Sequence, residues 1–218
     1  MTVTQVPLSG TAATLIGLAA LGVVVLNGLW RFFQHGMVMA HEGAHAAVSA
    51  MMFHKVRGIK LNGDATGETR AASGIWPGTV LFFTSGYLGP SLFGLAAAKM
   101  IETDHIVEVL WITLFLLALL LLAVTTGFGA FAVIVAGGLV FLVIRYTPMS
   151  VQIAAAYAIA WLLLLSGVRG ILEDGFKADD AGKLWDKTFI PGFIWFFFWL
   201  GCTLTAVAAG AKWLIFRS

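Results

Sequence analysis

The sequence predicts an all-α polytopic membrane protein of roughly six to seven transmembrane helices, with a short β-hairpin set among them. Three observations carry that reading. Of 218 residues, 60% are hydrophobic and only 11% charged, with a mean hydropathy of +0.93, against roughly 25% charged residues in an ordinary soluble domain. Apolar runs long enough to cross a bilayer recur along the chain. One polar interruption alternates with strand period. The spans use up the length, so residues 1–218 read as a single integral-membrane domain of a multi-pass protein, of the kind found in a bacterial-type cell membrane. A net charge of +2 with no dense basic cluster excludes nucleic acid as a partner and leaves the lipid bilayer as the medium. Cys202 is the single cysteine, so no internal disulfide can form.

The first apolar stretch, Thr11 to Trp30, has spanning length, and Trp30, Arg31, Phe32 and Phe33 resemble the aromatic and charged boundary of a helix leaving the hydrocarbon. The second, about Gly36 to Phe53, is interrupted by His41, Glu42 and His45 among small and apolar residues. Val56 to Leu61 then alternates strictly ahead of Asn62-Gly63-Asp64, a turn signal, which predicts a hairpin. Further spans are expected at about Pro77 to Met100, Ile106 to Val124, Phe128 to Ile144, Pro148 to Val168 and Ile190 to Trp213. Between the last two, Arg169 to Thr188 is polar and carries Glu173, Asp174, Asp179, Asp180 and Asp186. His35, His54 and His105 fall at segment ends, where interfacial histidine is ordinary, and Trp30, Trp76 and Trp213 suit an aromatic belt. Trp195 and Trp199 are one helical turn apart on one face.

The chemistry concentrates in His41-Glu42-Gly43-Ala44-His45, an H-E-x-x-H pattern on a predicted helix. Residues four apart share a helix face, so both imidazoles reach one metal ion, while Glu42 projects close enough to take a proton from a metal-bound water. With five histidines in the chain, chance produces this pattern with a probability of about 0.002. An ionisable side chain at bilayer depth costs at least about 2.5 kcal/mol, so three within one turn require a shared purpose. Zinc is the ion that this donor set and an adjacent carboxylate suit.

An H-E-x-x-H within a membrane helix, a hairpin immediately after it, the element Gly86-Tyr87-Leu88-Gly89-Pro90 and a distal acidic segment together resemble the site-2 protease family of intramembrane zinc metalloproteases, and more closely its compact branch. Arg169, Glu173 and Asp179-Asp180-Ala181 match the helix end and acidic motif expected in that branch, and the resemblance covers about Gly36 to Leu200. It implies a zinc ion as cofactor, hydrolysis of peptide bonds in membrane-embedded protein or peptide segments, and Glu42 as general base. Where many members carry an Asn-Pro-containing element ending in Asp-Gly, this chain has Leu172-Glu173-Asp174-Gly175. A catalytic zinc needs a third protein ligand. Asp180, Asp174 and Glu173 are the candidates, with Asp180 preferred as a carboxylate at a local helix start and the best match to the branch motif. The expected metal ligands are therefore His41, His45 and Asp180. The competing function is a non-proteolytic metal-binding or transport-related membrane protein.

Overall fold

In hydrocarbon every backbone N–H and C=O must be paired within the chain, and the apolar stretches meet that demand as helices. The structure, a computed structural model, describes residues 5–71, 77–175 and 179–216, with the backbone alone at Asp179. In chain order the elements are α1 (Gly10–Val25), α2 (Asn27–Met51), β1 (Val56–Leu61), β2 (Gly67–Ala71), α3 (Gly78–Glu102), α4 (Ile106–Ala123), α5 (Gly127–Tyr146), α6 (Met149–Asp174), α7 (Asp179–Thr188) and α8 (Gly192–Ile215). The helices α3, α4, α5, α6 and α8 are each long and apolar enough to cross a membrane. The pair α1–α2, bent by 99°, makes a sixth if it is one broken span. Trp76, Lys177 and the Asp179 side chain lie outside the described residues.

Two expectations are corrected here. The helix foreseen from Thr11 to Trp30 ends at Val25, because Leu26 is extended (φ −79°, ψ 108°), and one continuous helix then runs to Met51. Trp30 is thus neither a helix end nor a belt residue. It is 3% exposed and donates its indole N–H to Glu173 Oε2 at 2.9 Å, a partner within the protein that satisfies the ring nitrogen. His35 likewise lies within α2, its ring 5.4 Å from that of Phe128. The second correction concerns the polar stretch after Val168. The helix α6 continues to Asp174, its last turns carrying the i,i+4 pair Arg169–Glu173, and Asp179 to Thr188 forms α7.

The core of the bundle lies among α1, α3, α4, α6 and α8, around the fully buried Ala13, Ala98, Ala156, Tyr157, Ala160 and Leu164. Lipid tails are as apolar as leucine, so helices in a bilayer gain from close approach and from hydrogen bonds between helices. A Cβ at Gly17 would stand 2.9 Å from the Trp161 ring, which donates its N–H to Ala13 O at 3.1 Å. A Cβ at Gly94 would stand 2.6 Å from the backbone nitrogen of Leu164, and three residues earlier Ser91 Oγ donates to Leu164 O at 3.1 Å. Small residues therefore set the α1–α6 and α3–α6 distances.

The hairpin is antiparallel, pairing Ile59 with Thr69 and Leu61 with Gly67. Its first strand is tied from behind by the α4–α5 connection: Thr125 N donates to Ile59 O at 2.8 Å, Thr126 Oγ1 donates to Leu61 O at 2.7 Å, and Leu61 N donates to Thr126 Oγ1 at 3.2 Å. Ile59 and Leu61 are buried against Val38, Met39, Leu120 and Val133.

The helix spacing yields a prediction. Gly94→Ala forces backbone apart at the α3–α6 crossing and should cost about 1–3 kcal/mol, lowering the midpoint of thermal unfolding in detergent by several degrees. Gly22→Ala, where an added Cβ meets nothing within 4 Å, should leave the midpoint unchanged or slightly raised, because alanine is the better helix former.

Candidate metal centre

The two histidines of the motif stand one turn apart on α2, facing α3, with Nε2 atoms 3.1 Å apart. What admits them is the absence of a side chain at Gly86, where a Cβ would lie 2.5 Å from both Nε2 atoms. One turn before Gly86, the Phe82 carbonyl accepts from His45 Nδ1 at 2.8 Å, and the Phe82 ring stacks on the imidazole at 4.5 Å. A neutral imidazole that donates through Nδ1 carries its lone pair on Nε2, so this contact sets the tautomer as well as the ring orientation. The Tyr87 ring meets His41 edge-on at 5.0 Å, and its hydroxyl donates to Asp174 Oδ2 at 2.7 Å.

Asp180 arrives from α7, whose Ala181 and Leu184 are fully buried against α3 and α8. Its Oδ2 is 3.3 Å from His45 Nε2 and 3.6 Å from His41 Nε2, while Oδ1 is 3.6 Å from Lys183 Nζ. Burial acts to raise the pKa of Asp180, but hydrogen bonding and attraction from His41 and His45, in the form that carries a proton on Nε2, outweigh it and hold the carboxyl well below the usual range.

Of the three acids left open by the sequence, Asp180 is the one placed beside the histidines. The Glu173 carboxylate accepts from Trp30 Nε1 and, at 2.9 Å, from Arg169 Nε, and Asp174 accepts from Tyr87. Ligand atoms of His41, His45 and Asp180 all lie within 4.8 Å of one another and could hold a metal ion. Three donors bound to one ion at about 2.0–2.2 Å in tetrahedral arrangement stand about 3.3–3.6 Å apart. Two edges found here, 3.3 and 3.6 Å, fall in that range and the third, 3.1 Å between the two Nε2 atoms, lies just below it, and two nitrogens with one carboxylate oxygen suit zinc.

Glu42 lies next to this triangle, 5% exposed. Its Oε2 accepts from Thr69 Oγ1 at 2.6 Å, and the same hydroxyl is 3.0 Å from the Glu42 main-chain carbonyl oxygen. The strand β2 passes so close that a Cβ at Gly67 would stand 2.5 Å from Glu42 Oε1. Sequence reasoning did not single out Gly67, Thr69, Phe82 or Ser85, whose Oγ donates to the Phe82 carbonyl at 2.6 Å. For Gly67 and Thr69 the only available signal is their i,i+2 spacing on one face of a strand.

The family description Peptidase M50B-like matches residues 14–210. No curated protein and no solved structure shows a significant match to the chain. With five to six apolar spans and nearly the whole length covered by that description, this multi-pass integral membrane protein belongs to the Peptidase M50B-like family, the site-2 protease family.

Proposed function

We propose that the protein is an intramembrane zinc metalloendopeptidase that hydrolyses peptide bonds of membrane-embedded protein or peptide segments. The observation that carries this reading is the convergence of His41, His45 and Asp180 on one point with Glu42 alongside, in a chain of a protease family. His41, His45 and Asp180 would hold the ion. When bound, it supplies Lewis acidity, lowering the pKa of water towards about 7 and polarising a peptide carbonyl. Glu42 accepts a proton from the attacking water as its oxygen bonds to the carbonyl carbon, and returns that proton to the leaving nitrogen as the C–N bond breaks. The Phe82 carbonyl keeps His45 in the tautomer that offers Nε2, and Tyr87 braces the His41 ring. A substrate helix has its backbone groups paired internally and must unwind locally before a carbonyl can reach the site.

Purified protein should contain about one zinc per chain. His41→Ala and His45→Ala should each abolish stoichiometric zinc by elemental analysis, and unchanged zinc in either would refute the assignment of the centre. Asp180→Ala should weaken zinc binding far more than Asp186→Ala, Glu173→Ala or Asp174→Ala in chelator competition. If Asp174→Ala or Glu173→Ala produces the larger loss, the third ligand is that residue instead.

Glu42→Gln preserves size and removes the base. Zinc should be retained while cleavage of a membrane-segment peptide falls about 10²–10⁴-fold. Zinc bound at full stoichiometry, with no turnover of any membrane peptide by the unmodified protein, would favour the metal-binding or transport-related function.

A further inference from the structure

The hairpin touches the site at Glu42, and it does so at both oxygens of the carboxylate. Thr69 Oγ1 reaches Oε2 at 2.6 Å and the Glu42 carbonyl oxygen at 3.0 Å, so a single hydroxyl ties the head of the side chain to its own main chain. The backbone of Gly67, two residues earlier on the same strand face, lies against Oε1, Cγ and Cδ, leaving no space for a methyl group. No described residue gives Oε1 a hydrogen bond, so the contacts on Oε2 leave Oε1 as the oxygen open to a proton.

The register connects these contacts to the rest of the fold. Thr69 pairs with Ile59, and Gly67 pairs with Leu61. Ile59 and Leu61 are the two β1 residues bound to Thr125 and Thr126 of the α4–α5 connection. Each residue that touches Glu42 therefore stands directly across the hairpin from a residue anchored to the bundle. A free two-stranded hairpin is marginally stable in water. This one is held at its β1 edge by Thr125 and Thr126 and on one face by the burial of Ile59 and Leu61, and its position cannot drift without moving the Glu42 carboxylate.

We propose that Thr69 and Gly67 are positioning residues for Glu42: the hairpin holds the carboxylate of the general base in one orientation, with Oε1 presented to the reacting water. This rests on the reading of Glu42 as the base. A carboxylate on two freely rotating side-chain bonds spends little time in a productive geometry, and fixing it from outside the helix supplies orientation that the H-E-x-x-H motif alone does not.

The test uses full-length protein purified in detergent, with three readouts. In thermal unfolding, Thr69→Val should lower the midpoint by about 2–4 °C in the wild-type background and by less than half of that in the Glu42→Ala background. Equal shifts in the two backgrounds would show that the hydroxyl is not coupled to Glu42 and would overturn the proposal. Zinc content should be unchanged in Thr69→Val and in Gly67→Ala, and its loss in both would assign the hairpin a merely structural role. With a fluorogenic peptide of about 25 apolar residues in liposomes as probe, both variants should lower kcat about 10- to 100-fold with KM within about twofold, and Thr69→Ser should recover most of the loss. Gly67 has an ordinary φ, so alanine is conformationally allowed there and acts through its contact with the Glu42 side chain. A normal loss in Glu42→Gln beside undiminished kcat in Thr69→Val and Gly67→Ala overturns this proposal alone. Wild-type turnover in Glu42→Gln overturns the reading beneath it.

Discussion

The close contact of α2 with α3 at Gly86 is the constraint on which the centre depends. Two imidazoles and a carboxylate must point into one small volume, and any side chain at position 86 would occupy it. The same stretch of α3 then provides what the histidines need: the Phe82 carbonyl for His45, the Phe82 ring beneath it, and Tyr87 against His41. Three residues on, a Cβ at Gly89 would collide with Ala44 and lie 3.3 Å from Ala40 O, so the approach is tight over a full turn. Small residues here act as they do in other membrane helix pairs, but the space they leave serves side-chain donors as well as backbone packing.

Polar groups set among apolar helices are costly unless paired, and the pairing explains much of the remaining architecture. Glu42 is bonded through Oε2 to Thr69, Asp174 to Tyr87, and Glu173 to Trp30 and Arg169, whose Nη2 also donates to Asn27 Oδ1 at 2.9 Å. The last network joins the start of α2 to the end of α6. It accounts for the continuation of α6 past the apolar stretch and for the burial of Trp30. The acids that a sequence reader would weigh as metal ligands are thus mostly engaged in holding helices together.

How much was legible in the sequence follows from the range of each interaction. The H-E-x-x-H helix and the hairpin depend on contacts within a few residues, and spacing alone reveals them. The bend at Leu26 is different, because Asn27 and Gly28 are too few to break the apolar run that surrounds them and Trp30-Arg31 imitates a membrane boundary. Beyond the bend Trp30 meets Glu173, 143 residues away, a partner that no local pattern announces. Asp180 could be placed among the candidates, but its separation from Glu173 and Asp174 depends on Tyr87 and Trp30, neither of which is near in sequence. The hold of Thr69 on Glu42 is equally long-range in effect, since it requires the hairpin register and the anchoring at Thr125 and Thr126.

The elements that bear the centre differ from the bundle in character. The hairpin and α7 are too short and too polar to cross a membrane, and both are docked on apolar helices, one through Ile59 and Leu61 and the other through Ala181 and Leu184. Side chains from α2 and from α7 meet at the metal triangle, so an ion held there would cross-link a bundle helix to a peripheral one. Binding to the folded arrangement and not to the separated one stabilises it by mass action. The docking of α7 and the affinity of the centre are therefore two sides of one equilibrium: what loosens Leu184 withdraws Asp180, and what occupies the triangle holds α7 in place.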